Sequence, residues 1–384
     1  MLWSFFVGEY ADAYAYNKRF INIESFTVKK KWFYKKIFGV KNMEAIILAG
    51  GFGTRLRPLT YTRAKSLLPI LNKPMIAHII ETLPNEVEKI ILAVNYRKDQ
   101  IEKYFEINDF GKKIIVNDEP KPLGTGGAVK FAQDHITGNF LVLNSDIICS
   151  INLSDMISFH KKNKSLSTIS LWSVENVSEF GVADVKENGK IVGFVEKPKP
   201  EDAPSEFINA GAYCLEPEIL DYIETGRLVS MEKEIFPQII KDTGRFFGYK
   251  FDGYWMDIGR ISSYLEVNKF LLENKNINFL KGDNCIINGT LNLSSLGNNV
   301  FIGNNSKINS TIVYNNVTIG ENVNLNNCVV GENCKIGNYS NLKNSVVGDN
   351  ESVKEKTTTD NKIVWTQEKP DNYPDKQIGN VIVG

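Results

Sequence analysis

The stretch from Ala45 to Met75 reads AIILAGGFGTRLRPLTYTRAKSLLPILNKPM and decides the fold of the first half of the chain. Its opening run, Ala45–Ala49, is continuously apolar and ends in Gly50-Gly51, which predicts a buried parallel strand entering a glycine-rich loop. Glycines let the backbone approach a phosphate, so that exposed N–H groups can surround it. The stretch has neither the Gly-Lys-Ser/Thr ending of a P-loop nor the G-x-G-x-x-G spacing of a dinucleotide fingerprint. We therefore expect a phosphate-binding loop of another kind, with Arg55 and Lys65 as positive charges beside it.

Further apolar runs follow at Ile90–Val94, Ile114–Val116 and Phe140–Leu143, and helical stretches at Met75–Leu83 and Gly126–His135 lie between the strands. Strands that alternate with helices predict an α/β domain with a Rossmann-like, mostly parallel sheet. Ligands of such sheets bind at the carboxyl ends of the strands.

The pattern changes after about residue 280, where apolar residues recur every five or six positions with an overall period of 17. Twelve apolar residues in twelve such slots, at 42% apolar content overall, have a chance on the order of 10⁻⁵ before the choice of frame is allowed for. The pattern predicts three-sided coils of about 17 residues around a shared core, which is a left-handed β-helix of hexapeptide type. The alternative is an asparagine-rich loop with accidental periodicity. The twelve positions are Cys285, Leu291, Leu296, Ile302, Ile308, Val313, Ile319, Leu325, Val330, Ile336, Leu342 and Val347.

Composition narrows the class of protein. The 384 residues include 45 Lys+Arg and 45 Asp+Glu, and this balance gives no support for nucleic-acid binding. The five scattered cysteines include no CxxC pair, so we expect neither a zinc site nor disulfides, and a cytoplasmic location. No apolar run approaches the ~20 residues that span a bilayer, so we expect no membrane partner.

Four segments are expected from these patterns. Residues 1–42 form an N-terminal extension that we expect to be poorly ordered, although its lysines and aromatic residues could also touch a membrane surface. An α/β domain spans residues 43–275, the β-helix spans 285–352, and a polar tail spans 353–384.

The chain resembles the sugar-phosphate nucleotidyltransferases, the family of NDP-sugar pyrophosphorylases, over about residues 43–275. The first block is GGFGTRLRPLT followed by KSLLPILNKPM, and Ala64 and Ser66 stand where proline is frequent in the family, which bears on loop rigidity only. Within the family the blocks look most like mannose-1-phosphate guanylyltransferases. The further blocks are PLGTGGA (122–128), LNSDII (143–148), EFGVADV (179–185), FVEKP (194–198), INAGAY (208–213), SMEKEIFP (230–237) and GYWMDIG (253–259).

The implied reaction is attack of a sugar-phosphate oxygen on the α-phosphorus of a nucleoside triphosphate. This nucleophile has a second pKa of about 6 and needs no general base at neutral pH. The difficulty is to bring two anions together, which cations and a metal ion solve. Arg55, Lys65 and Lys197 are the candidate cations, and Asp146 and Asp257 are candidate oxygen ligands for Mg²⁺. The alternative for Asp146, at the end of an apolar run, is an N-cap.

The resemblance also implies binding residues. For the sugar phosphate these are Gly181, Glu196, Lys197 and Asn209, although a Glu-Lys pair is by default a solvated charge pair. Glu119 is the candidate reader of the base, because a carboxylate can accept from the two adjacent donors of guanine; the alternative is that it points to solvent. The residues implied for the nucleotide are Leu48, Gly50, Gly51, Gly53, Thr54, Glu119, Gly124 and Thr125.

The expected activity is the synthesis of GDP-mannose from GTP and mannose 1-phosphate, in a homo-oligomer assembled through the β-helix. A glucose-1-phosphate thymidylyl- or uridylyltransferase is the alternative within the family, since the sequence does not fix the sugar. Acyltransfer is a second class, but such β-helix enzymes generally use a histidine in the coils, and the last histidine here is His160. A non-catalytic regulatory paralogue is a third, but the five charged candidates are all present.

Overall fold

The computed structural model describes residues 43–368 and the backbone of the short strand Val381–Ile382. The predicted N-terminal extension, residues 1–42, and residues 369–380 and 383–384 of the final polar segment lie outside the described residues. No helix in the described part of the chain is long and apolar enough to cross a bilayer.

Residues 43–274 alternate strands with helices. The helices are α1 Leu59–Thr62, α2 Met75–Thr82, α3 Lys98–Ile107, α4 Gly124–Phe131, α5 Leu153–Lys162, α6 Phe236–Asp242 and α7 Ile261–Asn274. The strands are β1 Met43–Leu48, β2 Pro69–Ile70, β3 Lys73–Pro74, β4 Val87–Val94, β5 Lys113–Asp118, β6 Phe140–Asn144, β7 Ile147–Cys149, β8 Ser167–Ser173, β9 Gly181–Val185, β10 Ile191–Glu196, β11 Phe207–Leu215, β12 Phe246–Lys250 and β13 Trp255–Asp257.

The main sheet is parallel at its centre, in the order β5-β4-β1-β6, and continues through the antiparallel β11. The chain leaves β1 toward β4 and β5 and then returns to the other side of β1 to form β6. The strand order therefore reverses at β1, and in open α/β sheets the crevice beside such a reversal binds ligands. The glycine-rich loop follows β1, and Asp146 follows β6, so both lie at this crevice.

The central strands are buried on both faces, as expected for parallel strands covered by helices. Ile46, Ile91 and Val142 are neighbours in register and belong to the core on one face of the sheet. Ile47 and Leu92 belong to the core on the other face. This explains why the sequence reads here as continuous apolar runs rather than as alternation.

Residues 279–364 form coils of short parallel strands in three sheets, so the predicted α/β domain followed by a left-handed β-helix is confirmed as the fold class. In the first two strand pairs, partners lie 15 residues apart, as in Ile286 opposite Phe301, and from residue 290 to residue 364 they lie 17 apart, as in Ile302 opposite Ile319. The strands are β14 Phe279–Lys281, β15 Ile286–Ile287, β16 Thr290–Asn292, β17 Ser294–Leu296, β18 Phe301–Ile302, β19 Lys307–Asn309, β20 Ile312–Val313, β21 Thr318–Ile319, β22 Asn324–Asn326, β23 Val329–Val330, β24 Lys335–Ile336, β25 Asn341–Lys343, β26 Val346–Val347, β27 Ser352–Val353, β28 Thr358–Asp360, β29 Ile363–Val364 and β30 Val381–Ile382.

The coils begin before residue 285 and continue past residue 352, where the sequence suggested a polar tail. Strands β28 and β29 lie in that segment, and Val364 pairs with Val347 in the same register as the earlier coils. The apolar periodicity does not reveal this coil, because the buried residue of its middle strand, Thr358–Asp360, is the polar Thr359.

An asparagine ladder runs along one corner of the β-helix. Asn299, Asn316, Asn333 and Asn350 all have positive φ, which asparagine tolerates better than most residues. The Nδ2 atom of each donates to Oδ1 of the next, at 2.9 Å, 3.0 Å and 2.9 Å in turn.

The β-helix shares a hydrophobic core with the α/β domain. Ile312, Val329 and Val346, on one wall of the coils, pack into the same cluster as Tyr264 and Leu271 of α7. The residues that follow the glycine-rich loop, including Leu56, Leu59 and Leu68, belong to this cluster too.

Candidate functional site

The loop after β1 turns sharply at Gly53, which has a φ of 63°. A Cβ atom there would lie 2.8 Å from Cγ2 of Thr60, while the Thr60 hydroxyl donates to the Gly53 carbonyl at 2.9 Å. Only glycine fits this turn without strain. At Gly51, by contrast, a side chain would meet no atom within 4 Å, because this residue faces open space.

A cleft of about 380 Å³ opens above the carboxyl ends of β1, β4 and β6. Gly53 and Thr54 belong to the same loop as Gly50 and Gly51 but do not line this cleft. The predicted site residues that do line it are Leu48, Gly50, Gly51, Glu119, Gly124, Thr125 and Asp146.

Glu119 follows β5 and is buried, with 7% of its surface exposed, so its side chain does not point to solvent. Its backbone N–H donates to the Val94 carbonyl at 2.8 Å, and its Oε2 accepts from the Leu123 N–H at 3.2 Å. Burial raises the pKa of Glu119 from its usual value. A carboxylate held in this way can accept from further N–H groups of a ligand in the cleft.

Gly124 begins α4 with a φ of 74°, and a Cβ atom there would lie 2.6 Å from the Val229 carbonyl oxygen. The predicted helix Gly126–His135 therefore starts at Gly124, where glycine makes the turn, and ends at Phe131. The neighbouring Thr125 hydroxyl donates to Oε2 of Glu232 at 2.8 Å. In this structure the Thr125 hydroxyl is thus held within the protein.

Asp146 and Asp257 lie side by side because β7 pairs with β13. Asp257 is opposite Ile147 in this pairing, and the Ile258 N–H donates to the Asp146 carbonyl at 2.8 Å. Burial and the charge of Asp146 raise the pKa of Asp257 to about 6. On the other side, Nζ of Lys65 lies 2.5 Å from Oδ2 of Asp146.

The Arg55 guanidinium stands beside this pair, close enough that a Cβ atom on Gly259 would lie 2.8 Å from it and 2.9 Å from Oδ2 of Asp257. The Arg55 side chain is exposed and makes no ion pair with any residue that the structure describes. The structure therefore brings Arg55, Lys65, Asp146 and Asp257 together, as four charges from three separated segments of the chain.

Glu196 and Gly181 are paired across β9 and β10, and a Cβ atom on Gly181 would lie 2.8 Å from Oε2 of Glu196. Burial and the nearby Glu232 raise the pKa of Glu196. Lys197 is exposed and has a φ of 52°, and its Nζ is 4.0 Å from Oε1 of Glu196. Asn209 donates to the Tyr213 hydroxyl at 2.9 Å and accepts from the Gly211 N–H at 3.1 Å.

Glu232 connects the two sides of the site, and the sequence did not single it out. Its carboxylate accepts from Ser230 at 2.7 Å and Tyr213 at 3.2 Å, as well as from Thr125. The signal was present, since Glu232 lies in the SMEKEIFP block. Arg260 is a second such residue; it pairs with Glu179 beside Asp257.

A metal ion at this site would have two protein carboxylates as ligands. The described residues contain no group of three or more His, Cys, Asp and Glu side chains that could hold a metal. Two adjacent carboxylates, one of which has a pKa raised by burial and by its neighbour, suit a dication whose other ligands are phosphate oxygens and water. The cysteines are free, and burial raises the pKa of Cys214 to about 12, so this thiol is not a nucleophile.

The strand reversal, the glycine loop and the adjacent charges define a nucleotide-binding α/β domain of the kind that handles phosphate groups. Residues 44–274 match the family described as nucleotidyl transferase, and residues 282–377 match the family described as GMPPB C-terminal domain. The first match covers more than half of the chain, and the protein belongs to the nucleotidyl transferase family. This family generally uses a divalent metal ion.

Relatives with curated names agree with this family. The mannose-1-phosphate guanylyltransferase catalytic subunit beta of Dictyostelium discoideum is 43% identical over 229 residues, which are 58% of this chain and 63% of the relative. The mannose-1-phosphate guanyltransferase of Neurospora crassa is 42% identical over 231 residues, 58% of this chain and 62% of the relative. The chain thus spans just under two thirds of the length of these relatives.

Two solved structures share the fold. A UDP-glucose pyrophosphorylase complexed with UDP-glucose matches with a TM-score of 0.55 and 25% identity, over 60% of this chain and 99% of its own. HddC from Yersinia pseudotuberculosis, complexed with GMP-PN, matches with a TM-score of 0.51 and 30% identity. This match also covers 60% of this chain and 99% of the matched chain.

Proposed function

We propose that the protein joins a sugar 1-phosphate to a nucleoside triphosphate and releases pyrophosphate, with GTP and mannose 1-phosphate as its substrates. The observation that carries this proposal is the cluster of Lys65, Asp146 and Asp257 at the strand reversal, next to the glycine-rich loop. Relatives named mannose-1-phosphate guanylyltransferase support the choice of substrates.

In this proposal the protein supplies charge and position rather than a general base. The backbone of Gly50 and Gly51 faces the phosphates of the triphosphate, and Arg55 and Lys65 balance the charge that develops around the α-phosphorus. Asp146 and Asp257 would hold Mg²⁺, which screens the phosphate oxygens from the incoming anion. Binding of a dication would also favour the ionised form of Asp257, whose pKa is raised to about 6 in the free protein.

The sugar 1-phosphate is proposed to lie beside Gly181 of β9, Glu196 of β10 and Asn209 of β11, three adjacent strands of the sheet. Glu196 would accept from sugar hydroxyls above Gly181, where any side chain would collide with it. The exposed Lys197 would pair with the sugar phosphate. Asn209 would contribute through its amide, which is oriented by Tyr213 and, through Tyr213, by Glu232.

Glu119 is proposed to select the base. Guanine presents two adjacent donors, N1–H and the N2 amino group, and a carboxylate can accept from both. Uracil and thymine would set a carbonyl oxygen against this buried carboxylate, at a cost of about 1–3 kcal/mol. The burial of Glu119 within the cleft supports this role over backbone readout alone.

The test is Glu119→Gln, with kcat/KM measured for GTP, dTTP and UTP at a saturating sugar 1-phosphate. GTP is expected to lead in the wild type, and its advantage is expected to fall about tenfold or more in the variant. The exposed Glu106→Gln is the matched control and should leave the ratios unchanged.

If UTP or dTTP already leads in the wild type, the guanylyl assignment fails and the uridylyl or thymidylyl alternative replaces it. Exchange of pyrophosphate into every triphosphate at background rates, across a panel of sugar 1-phosphates, would reject the enzymatic proposal as a whole.

We also propose that the protein works in the cytoplasm and assembles into homo-oligomers through the β-helix. Free thiols suit a reducing compartment. Ile286 and Phe301, neighbours in register on the first coils, are both exposed and offer an apolar contact to a second copy. Sedimentation of the full chain tests the assembly.

A further inference from the structure

The residues just before Lys65 contact one wall of the β-helix. Arg63, only 18% exposed, extends into this wall, where its guanidinium lies 2.6 Å from Oε2 of Glu332 and 3.6 Å from Oδ2 of Asp349. The same guanidinium lies 4.6 Å from the centre of the Tyr314 ring. Asp349 is only 6% exposed, so its pairing with Arg63 is more than a surface contact.

The residues before Arg63 make parallel contacts with the last coils. The Thr62 hydroxyl donates to Oδ2 of Asp349 at 2.6 Å. The Tyr61 ring lies 5.3 Å from the ring of Trp365. Three consecutive residues, the last two of α1 and the first of the loop that follows it, are therefore attached to the β-helix.

The other side of the loop is held by Gln100 of α3. Its Oε1 accepts from the Ala64 N–H at 2.9 Å, and its Nε2 donates to the Thr62 carbonyl at 2.8 Å. The next residue is Lys65, whose Nζ reaches Oδ2 of Asp146 at 2.5 Å. The position of the Lys65 charge is thus set from both sides of the loop.

We propose that the β-helix wall formed by Tyr314, Glu332, Asp349 and Trp365 fixes the segment 61–65, and that Arg63 is a positioning residue for Lys65. The kinetic part of this proposal rests on the proposed function. A displacement of about 1 Å at a reacting group can lower a rate about 10²-fold, so this contact would matter although it touches no substrate.

The first experiment compares Arg63→Met with Lys89→Met in the full chain. Both variants keep an apolar stem and remove the cation of a partly buried ion pair. Lys89 pairs with Glu44 at 3.3 Å at the amino ends of the strands, far along the sheet from the cleft. Arg63→Met is expected to lower kcat/KM for the triphosphate about 10- to 100-fold and to leave KM for the sugar 1-phosphate unchanged. Lys89→Met should change neither.

The second experiment is a rescue by proline. Ala64 has φ −59° and ψ 137°, and Arg63 before it is extended, with φ −140° and ψ 142°. Proline fits this backbone, at the loss of one hydrogen bond to Gln100, and restricts the loop without the β-helix. Ala64→Pro should therefore restore part of the activity that Arg63→Met loses.

A third readout needs no activity. Hydrogen exchange of the amides in residues 54–68 should be faster in Arg63→Met, and in the milder Asp349→Asn, than in the wild type and in Lys89→Met. If the wild type made no NDP-sugar, the proposed function would fail. Hydrogen exchange would still test whether the β-helix fixes the segment 61–65. Unchanged exchange in residues 54–68 together with unchanged kinetics in Arg63→Met would overturn the proposal, as would an equal rise in the KM values of both substrates without a fall in kcat.

Discussion

The β-helix and the candidate site differ in how their buried polar groups are paired. Inside the coils, the Ser306 hydroxyl donates to the Gly320 carbonyl at 2.7 Å and accepts from the Val323 N–H at 3.0 Å. Ser294 and Thr311 make the corresponding pair of bonds at another corner. Each of these hydroxyls donates one hydrogen bond and accepts another, and the arrangement recurs from coil to coil.

The charged cluster beside the cleft contains buried polar groups that lack favourable partners. Burial, and after it the charge of the adjacent Asp146, raises the pKa of Asp257 to about 6. The Ser66 hydroxyl, next to Lys65, is buried and has no hydrogen-bond partner among the described residues. The comparison teaches that one region is arranged for stability, while the other holds unfavourable charge that a ligand can relieve.

The largest effect is expected for Asp146→Asn. This change removes the partner of Lys65 and one of the two carboxylates proposed for the metal ion, so kcat/KM should fall about 10²–10³-fold. Asp118→Asn is the matched control, because Asp118 also ends a parallel strand and pairs with a lysine, at 3.1 Å from Lys98. Activity is measured as pyrophosphate release, and near-normal turnover in Asp146→Asn would show that the cluster is not the reactive centre.

An intermediate effect, on stability, is expected for Asp257→Asn. In the wild type the folded-state pKa of about 6 exceeds the ordinary aspartate value, so the folded protein loses stability as pH rises from about 4 through 6. The neutral variant escapes this loss and should be more stable above pH 6 by up to about 3 kcal/mol. Below pH 4 the two proteins should unfold at the same urea concentration. A variant that is no more stable than the wild type at pH 8 would contradict the inference that burial and Asp146 disfavour the ionised form of Asp257.

The smallest effects contrast two buried serines. Ser66→Ala removes an unpaired hydroxyl, so the melting temperature should stay the same or rise. Ser306→Ala leaves the Gly320 carbonyl and the Val323 N–H unpaired inside the coil, at an expected cost of about 1–3 kcal/mol. Thermal unfolding of both variants checks the contrast, and equal losses would show that the cleft is packed as completely as the coils.

The sequence predicted most of the architecture because the relevant signals are local. The apolar run before Gly50 gives the central strand, and the period of 17 gives the coils even where the chain is rich in asparagine. The same reasoning placed Asp146 at the end of a strand, and the structure has it directly beyond β6.

The contacts that set the properties of the site could not be predicted in this way. Asp257 meets Asp146 only through the pairing of β7 with β13, and Arg63 meets Glu332 across 269 residues of sequence. No local sequence pattern predicts such contacts between distant segments. Where the sequence did locate residues of this kind, as with Asp257, a family resemblance rather than spacing provided the information.

The asparagine ladder restricts how the β-helix can change length during evolution. Each rung bonds to the rung 17 residues further on, so only the gain or loss of whole coils keeps the remaining rungs aligned. Loss of a coil before Glu332 would also move the acidic residues by one layer, about 4.8 Å, away from Arg63. Duplication after Gln367 would leave the asparagine rungs, the acidic residues and Trp365 in place. The protein can therefore lengthen beyond this point without disturbing the candidate site.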